Sequence, residues 1–304
     1  MVSPDESPLF IAPFAAHVFK TEYFERKRLL VQRNDAGYFQ GVVDISHIDE
    51  LVTAVRIPPS NFNLALGEEP LPLDAYCVGS TYVDKAKVLA LHQEGATIIL
   101  RAVEQWSPAL NRLRIMAEQF FKCECQINVY LTPPRNKSTP PHWDTHDLIV
   151  MQIAGSKRWR LFEEERTLPL SDERFEIGKE AVSAEYEELV LYAGDTLYLP
   201  RGVIHEPVAE TYSIHVSIGV HTLRWFDILN LALLILANRE GSILRTGVPL
   251  ADDDVGYPAD SDLASQLLDP VLLAQARKVL RRKFELSQAR DHQGRLLHIS
   301  RETG

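Results

Sequence analysis

Two short segments constrain the fold of this chain more than anything else in it. One is Pro140-Pro141-His142-Trp143-Asp144; the other is Pro200-Arg201-Gly202-Val203-Ile204-His205, whose histidine lies sixty-three positions after the first. Two imidazoles and one carboxylate make a ligand set for a single metal ion. Segments so far apart share an ion only if the chain doubles back and sets them edge to edge. Side chains alternate between the faces of an extended strand, so His142 and Asp144 point the same way and Trp143 the other. One strand is therefore expected to carry two ligands, and a Pro/Gly corner to deliver the third.

The flanking sequence supplies the strands such a site needs. Leu148-Ile149-Val150-Met151-Gln152-Ile153 is rich in β-branched and apolar residues and ends at the turn Ala154-Gly155-Ser156. A second strand is expected at Arg158 to Phe162, and a short one at Thr196 to Leu199 after the Gly194-Asp195 turn. Two histidines and one carboxylate on one face of an ion leave the opposite face open, the arrangement that suits non-haem Fe(II) oxygenases. The open positions admit a bidentate 2-oxoacid with dioxygen beside it. A His-x-Asp pair alone is a weak signal, because a buried histidine is more often a hydrogen-bonded core residue. The glycine-acid turn and the Pro-Arg-Gly-x-x-His run, in a strand context, make the pair specific. Three other histidines invite confusion. His215 shares a strand with Ser217 and is expected to face the interior beside the metal or the substrate. His146, two beyond Asp144, is a reserve ligand, and His221 is structural.

The order of these segments resembles the JmjC-type Fe(II)/2-oxoglutarate oxygenases, and within them the ribosomal oxygenase group of protein hydroxylases. The resemblance is carried by Asn128-Val129-Tyr130-Leu131-Thr132-Pro133, Pro140 to Asp144, Leu148 to Gln152, Gly155-Ser156-Lys157-Arg158-Trp159-Arg160-Leu161, Gly194 to His205, and Ser213-Ile214-His215-Val216-Ser217. With the N-terminal Phe19 to Val31 it spans roughly residues 10 to 240. It implies a double-stranded β-helix of the cupin/JmjC kind, mainly β with flanking helices. It further implies that His142, Asp144 and His205 bind Fe(II), and that Lys157 pairs with the distal carboxylate of 2-oxoglutarate. Asn128, Tyr130, Ser217 and Thr132 are implied to reach the cosubstrate or the metal's surroundings, and His215, Trp143, Trp159 and Arg201 to stand around them or toward the substrate. The implied activity is hydroxylation of an amino-acid side chain in a protein or peptide. The alternatives are the same chemistry on a small molecule or precursor peptide, and a metal-binding cupin scaffold without catalysis. Since imidazole must be neutral to bind a metal, retention is expected to weaken as pH falls through the ordinary histidine range.

Composition narrows the partners. The net charge of −10 argues against a general nucleic-acid binder and leaves a cationic peptide substrate open. Only Cys77, Cys123 and Cys125 occur, and the latter two, two apart on an extended segment, cannot readily bridge. Free thiols and the absence of a basic n-region in the acidic, Pro/Ser-rich start point to the cytoplasm. The most apolar run, Trp225 to Ala237, carries Asp227 and Asn230 and falls short of the roughly twenty residues a bilayer requires. Three regions are expected: a tail at 1–9, a catalytic domain at 10–222 with its barrel at 126–222, and a helical region at 223–304. The apolar surplus of that last region predicts a homodimer, as the resemblance also implies. It is expected to be too short for a winged-helix domain after the dimerisation helices. Helices are expected at Tyr23 to Lys27, at Ile48 to Val55 with Ser46 as N-cap, and at Pro108 to Phe121 after Ser107, where Leu110, Leu113, Ala117 and Phe120 form one stripe. Strands are expected at Leu29 to Gln32 and Ala96 to Arg101. Asp252 to Asp254 reads as a solvated loop, and the run Arg277-Lys278, Arg281-Arg282-Lys283 as a solvated helix face.

Overall fold

The structure is a computed structural model that describes residues 7–79, 81–176, 182–245 and 263–285. Contacts divide the chain into two compact units, Met1–His221 and Thr222–Gly304.

The first unit is built on antiparallel strands: β1 (Leu29–Val31), β2 (Phe62–Leu66), β3 (Glu69–Pro70), β4 (Thr97–Leu100), β5 (Glu124–Thr132), β6 (Asp147–Ala154), β7 (Ser156–Glu165), β8 (Tyr186–Tyr192), β9 (Thr196–Leu199), β10 (Val203–Ala209) and β11 (Ser213–His221). Eight of them form one sheet in the order β1-β9-β6-β11-β5-β4-β2-β3, and a second sheet runs β8-β7-β10. This is the jelly-roll double-stranded β-helix of the cupin/JmjC fold.

Strand β6 shows why the two sheets face each other. It is buried from Asp147 to Ile153 on both faces, as an unbroken apolar run predicts. Leu148 and Val150 point between the sheets and pack with Leu197 and Leu199 of β9, Trp159 and Leu161 of β7, and Leu189 and Leu191 of β8. Ile149, Met151 and Ile153 point the other way, into a larger core shared with the helices and the N-terminal aromatic residues. Fully burying each such aliphatic side chain contributes about 1.5–3 kcal/mol, so a polar residue at any of these positions is costly.

Helix α1 (Ile45–Thr53) is capped by Asp44, whose side chain accepts from the Ser46 amide, so the cap falls two residues before the expected Ser46. Helix α2 (Lys85–Gln93) and strands β2 and β8 were not anticipated. Helix α3 (Pro108–Phe121) begins and ends as expected, with the Ser107 hydroxyl accepting from Leu110 N–H at 3.3 Å and Lys122 in the left-handed conformation after its last turn. Its stripe of Leu110, Leu113 and Ala117 is buried. The N-terminal helical turns lie at Ala16–Tyr23 rather than Tyr23 to Lys27, because Glu25 takes a positive φ of 57° that a helix cannot continue.

In the second unit, α4 (Trp225–Ala237) buries Ile228, Ala232 and Leu236 against Leu272 and Ala276 of the helical stretch 270–285. Its first turn is closed by Asp227, whose carboxylate accepts from the Arg224 amide at 2.9 Å. No helix among the described residues is long and apolar enough to cross a membrane. Asp252 to Asp254 lie outside the described residues.

Candidate metal centre

The loop carrying His142 and Asp144 is not a strand, contrary to the expectation from their spacing. The consecutive prolines Pro140 and Pro141 prevent regular pairing, and only His142 bridges, antiparallel, to His205. His142 N–H donates to the His205 carbonyl at 3.2 Å, and His205 N–H returns a bond to the His142 carbonyl at 2.9 Å. The Asp144 carbonyl accepts from Gly202 N–H at 3.0 Å. Gly202 has φ +91°, and a Cβ there would lie 1.7 Å from the Arg166 carbonyl oxygen, so this corner admits only glycine. The loop and the corner before β10 are thus stitched together by backbone bonds around the three side chains.

Those side chains converge. The His142 and His205 ring centroids are 4.5 Å apart, and His205 Nε2 is 3.8 Å from Asp144 Oδ2. One ligand atom from each of the three lies within 4.8 Å of the others, the only such group of three among the described residues. Two ligands each ~2.1 Å from one ion stand at most ~4 Å apart, so the His205–Asp144 separation already suits a shared ion. Each imidazole is oriented by its other nitrogen: His142 Nδ1 donates to the Pro140 carbonyl at 2.9 Å, and His205 Nδ1 to the Val203 carbonyl at 3.0 Å. A carbonyl only accepts, which places the proton on Nδ1 and leaves both Nε2 lone pairs free for a metal. Burial, followed by the proximity of His142, pushes the His205 imidazole down to about 4. For Asp144 burial opposes ionisation, but His146, His142, His205 and Arg101 outweigh it and hold the carboxyl below its usual range. The site therefore offers two imidazoles and one carboxylate, the donor set that a divalent ion of the iron type takes.

The same cavity is lined by Asn128, Tyr130, Trp159, His215 and Ser217. These come from facing positions on two strands, since β11 pairs with β5 as His215↔Tyr130, Ser217↔Asn128 and Ser213↔Thr132. The Tyr130 and His215 rings stack at 4.5 Å with 6° between their planes. Burial, with Asp144 adding to it, raises the Tyr130 phenol to about 12. Beyond them Lys157 is fully buried; its Nζ donates to Thr132 Oγ1 at 3.1 Å and lies 3.4 Å from His215 Nδ1. Burial alone lowers the Lys157 ammonium to about 7, and burial with Lys157 nearby pushes His215 well below the ordinary histidine value. No carboxylate pairs with Lys157 among the described residues, so this cation can accept an anionic ligand.

Other expected residues serve otherwise. The Asn128 side-chain oxygen accepts from Ala102 N–H at 3.1 Å and Gln126 Nε2 at 2.8 Å, which fixes Asn128 to the wall of the cavity. Trp159 stands between His205 and His215, with ring centroids 5.7 and 5.9 Å away. Trp143 turns away and packs edge-on against Phe175. Arg201 does not face the cavity: it is buried with Asp147 at 3.1 Å and Glu25, while Tyr198 donates to the same Asp147 at 3.0 Å. Arg201 was expected to stand around the site or toward the substrate, and here the buried Asp147 carboxylate claims it. His146 lines the cavity without joining the ligand group. Ser138, Thr139 and Pro207 also line it and were not foreseen, although they directly flank the ligand segments. Nor was Glu206, a buried carboxylate held by Lys137 at 2.6 Å and Arg160 at 3.1 Å.

Comparison with known proteins agrees with this geometry. Residues 102–228 match the family model of the JmjC domain. The bifunctional lysine-specific demethylase and histidyl-hydroxylase NO66 of Aedes aegypti is 29% identical over 257 residues, 79% of this chain and 39% of that protein. Ribosomal oxygenase 2 of Rattus norvegicus is 30% identical over 258 residues, 79% of this chain and 53% of that protein. The chain thus spans about half or less of the length of these relatives. Among solved structures, the ribosomal oxygenase YcfD of Escherichia coli in complex with cobalt and 2-oxoglutarate superposes with a TM-score of 0.51 at 18% identity, covering 86% of this chain and 69% of that one.

Proposed function

We propose that the protein, whose residues 102–228 match the JmjC-domain family model and which is similar to ribosomal oxygenases, is an Fe(II)- and 2-oxoglutarate-dependent oxygenase that hydroxylates a side chain of a protein or peptide. The observation that carries the reading is the His142-Asp144-His205 ligand set in a cavity that His215 also lines, with the buried Lys157 ammonium 3.4 Å behind His215 Nδ1. A scaffold that merely held a metal would not need a fully buried ammonium. The relatives' names supply the substrate class, since one is a histidyl-hydroxylase and another a ribosomal oxygenase.

When bound, the iron and the oxoacid supply the oxidising chemistry that breaks an unactivated C–H bond. The chain supplies the rest. His142, Asp144 and His205 would hold the ion, with Nε2 of each imidazole presented by its Nδ1 hydrogen bond. Lys157 and the Thr132 hydroxyl would hold the distal carboxylate, where burial strengthens a charge-assisted bond. The stacked rings of Tyr130 and His215, with Trp159, would line the cosubstrate's side of the cavity. We further infer that the helical region forms a homodimer, because Trp225, Leu234 and Val271 are 71%, 59% and 74% exposed in the second unit. Buried free thiols support a reducing, cytoplasmic setting.

The test is succinate release by the purified protein with Fe(II), ascorbate, 2-oxoglutarate and a peptide pool, against a His142→Ala control. Release above the control with a mass increase of one oxygen on a peptide supports the proposal; equal release from both proteins overturns it.

A further inference from the structure

Along β11, His215 beside Lys157 and Gly219 beside His146 are four residues apart, about 13 Å at ~3.3 Å per residue. If the cosubstrate takes the Lys157 end, as the oxygenase reading requires, an incoming side chain is left with the His146 end. His146 lines the cavity there without being a ligand.

Its ring is held in place from three sides. Nδ1 donates to the Asp147 carbonyl at 3.3 Å, and the ring meets His221 edge to face at 5.2 Å and 73°. Gly219 provides its seat: a Cβ at that position would come within 3.3 Å of His146 Cε1 and 3.4 Å of Nε2, tighter than ordinary contact. With Nδ1 engaged by the Asp147 carbonyl, Nε2 is the ring nitrogen left for a ligand, and it has no hydrogen-bond partner among the described residues. The ring lines the cavity and lies against a glycine that leaves room for it.

We propose that His146 is a specificity-determining residue whose Nε2 accepts a hydrogen bond from an N–H or O–H donor on the substrate side chain. This inference rests on the oxygenase reading for the direction of substrate entry. It selects side chains such as carboxamide, guanidinium or imidazole over aliphatic ones, because an apolar group would leave the acceptor desolvated and unpaired.

The experiment uses the whole protein loaded with diamagnetic Zn(II), with and without 2-oxoglutarate. It is titrated with N-acetylglutaminamide and N-acetylargininamide as donor probes and N-acetylleucinamide as apolar control. The His146 ring nitrogens are followed by NMR, and 2-oxoglutarate affinity is measured in parallel. Donor probes are expected to shift Nε2 and to bind about tenfold tighter than the control. His146→Leu is expected to bring that ratio near one, and His146→Gln to restore part of it, with 2-oxoglutarate affinity unchanged within about twofold. Equal binding of all probes, no donor binding, or an undiminished preference in His146→Leu overturns the proposal. Failure of the wild type to bind 2-oxoglutarate counts against the oxygenase reading instead, while the titration without the oxoacid still decides the role of His146.

Discussion

Lys157 is held at about 7 by burial, far below an exposed lysine, and that single value has consequences in two directions. A dianionic oxoacid requires the ammonium form, so above pH 7 binding must take up a proton. The affinity for 2-oxoglutarate should fall about tenfold per pH unit above 7. Calorimetry in two buffers of different ionisation enthalpy should record one proton taken up. For stability the sign is opposite to that of a paired lysine. The unfolded chain binds the proton up to about pH 10.4 while the fold releases it near 7, so this group destabilises the empty fold fully below pH 7 and progressively less toward pH 10. Lys157→Met should therefore stabilise the ligand-free protein at pH 7 by on the order of 2 kcal/mol, read as a higher melting temperature, and the gain should fade by pH 10. The same variant should lose 2-oxoglutarate affinity while still binding Ni(II). Burial pushes the His205 imidazole down to about 4, so at this ligand protons are expected to compete with a metal only well below the ordinary histidine range.

Elements reach the site through polar ties that periodicity does not reveal. Glu206, next to His205 on β10, joins Lys137 of the His142 loop to Arg160 of β7, and its side chain is only 6% exposed. Glu206→Gln should weaken that tie and loosen the ligand loop, lowering Zn(II) affinity by roughly tenfold, within the range for residues that orient metal ligands, with the fold retained by circular dichroism. At the end of β9, Arg201→Met would leave Asp147 buried beside Tyr198 without its cation, a loss expected to cost about 3–5 kcal/mol in denaturant unfolding. These ties also mark where sequence reading stopped. Strand β6 and helix α3 were legible because an unbroken apolar run and a Ser-Pro start each have one physical reading, whereas the role of Lys157 was implied only by the family resemblance. The ligand loop was read as a strand because alternation was applied across two prolines. Strand β8 and helix α2 were missed because exposed Tyr186, Glu187 and Glu188, and the many polar residues of Lys85–Gln93, give little period to detect. The Arg201–Asp147 pair was not foreseen because its members are fifty-four positions apart.

For the whole molecule, the helical unit leaves large apolar side chains in water that its own core of Ile228, Ala232, Leu236, Leu272 and Ala276 does not cover. A homodimer is expected by light scattering at micromolar concentration. Leu234→Glu with Val271→Glu should give a monomer with the same far-ultraviolet dichroism; a doubly substituted protein that stays dimeric would remove this surface as the contact. The reciprocal amide bonds between His142 and His205 reach further. Because two ligand-bearing residues share that rung, an ion held by both rings is expected to brace the seam as well. Stripping the ion with a chelator should let deuterium enter at just those amides, turning their exchange into a gauge of occupancy that needs no turnover at all.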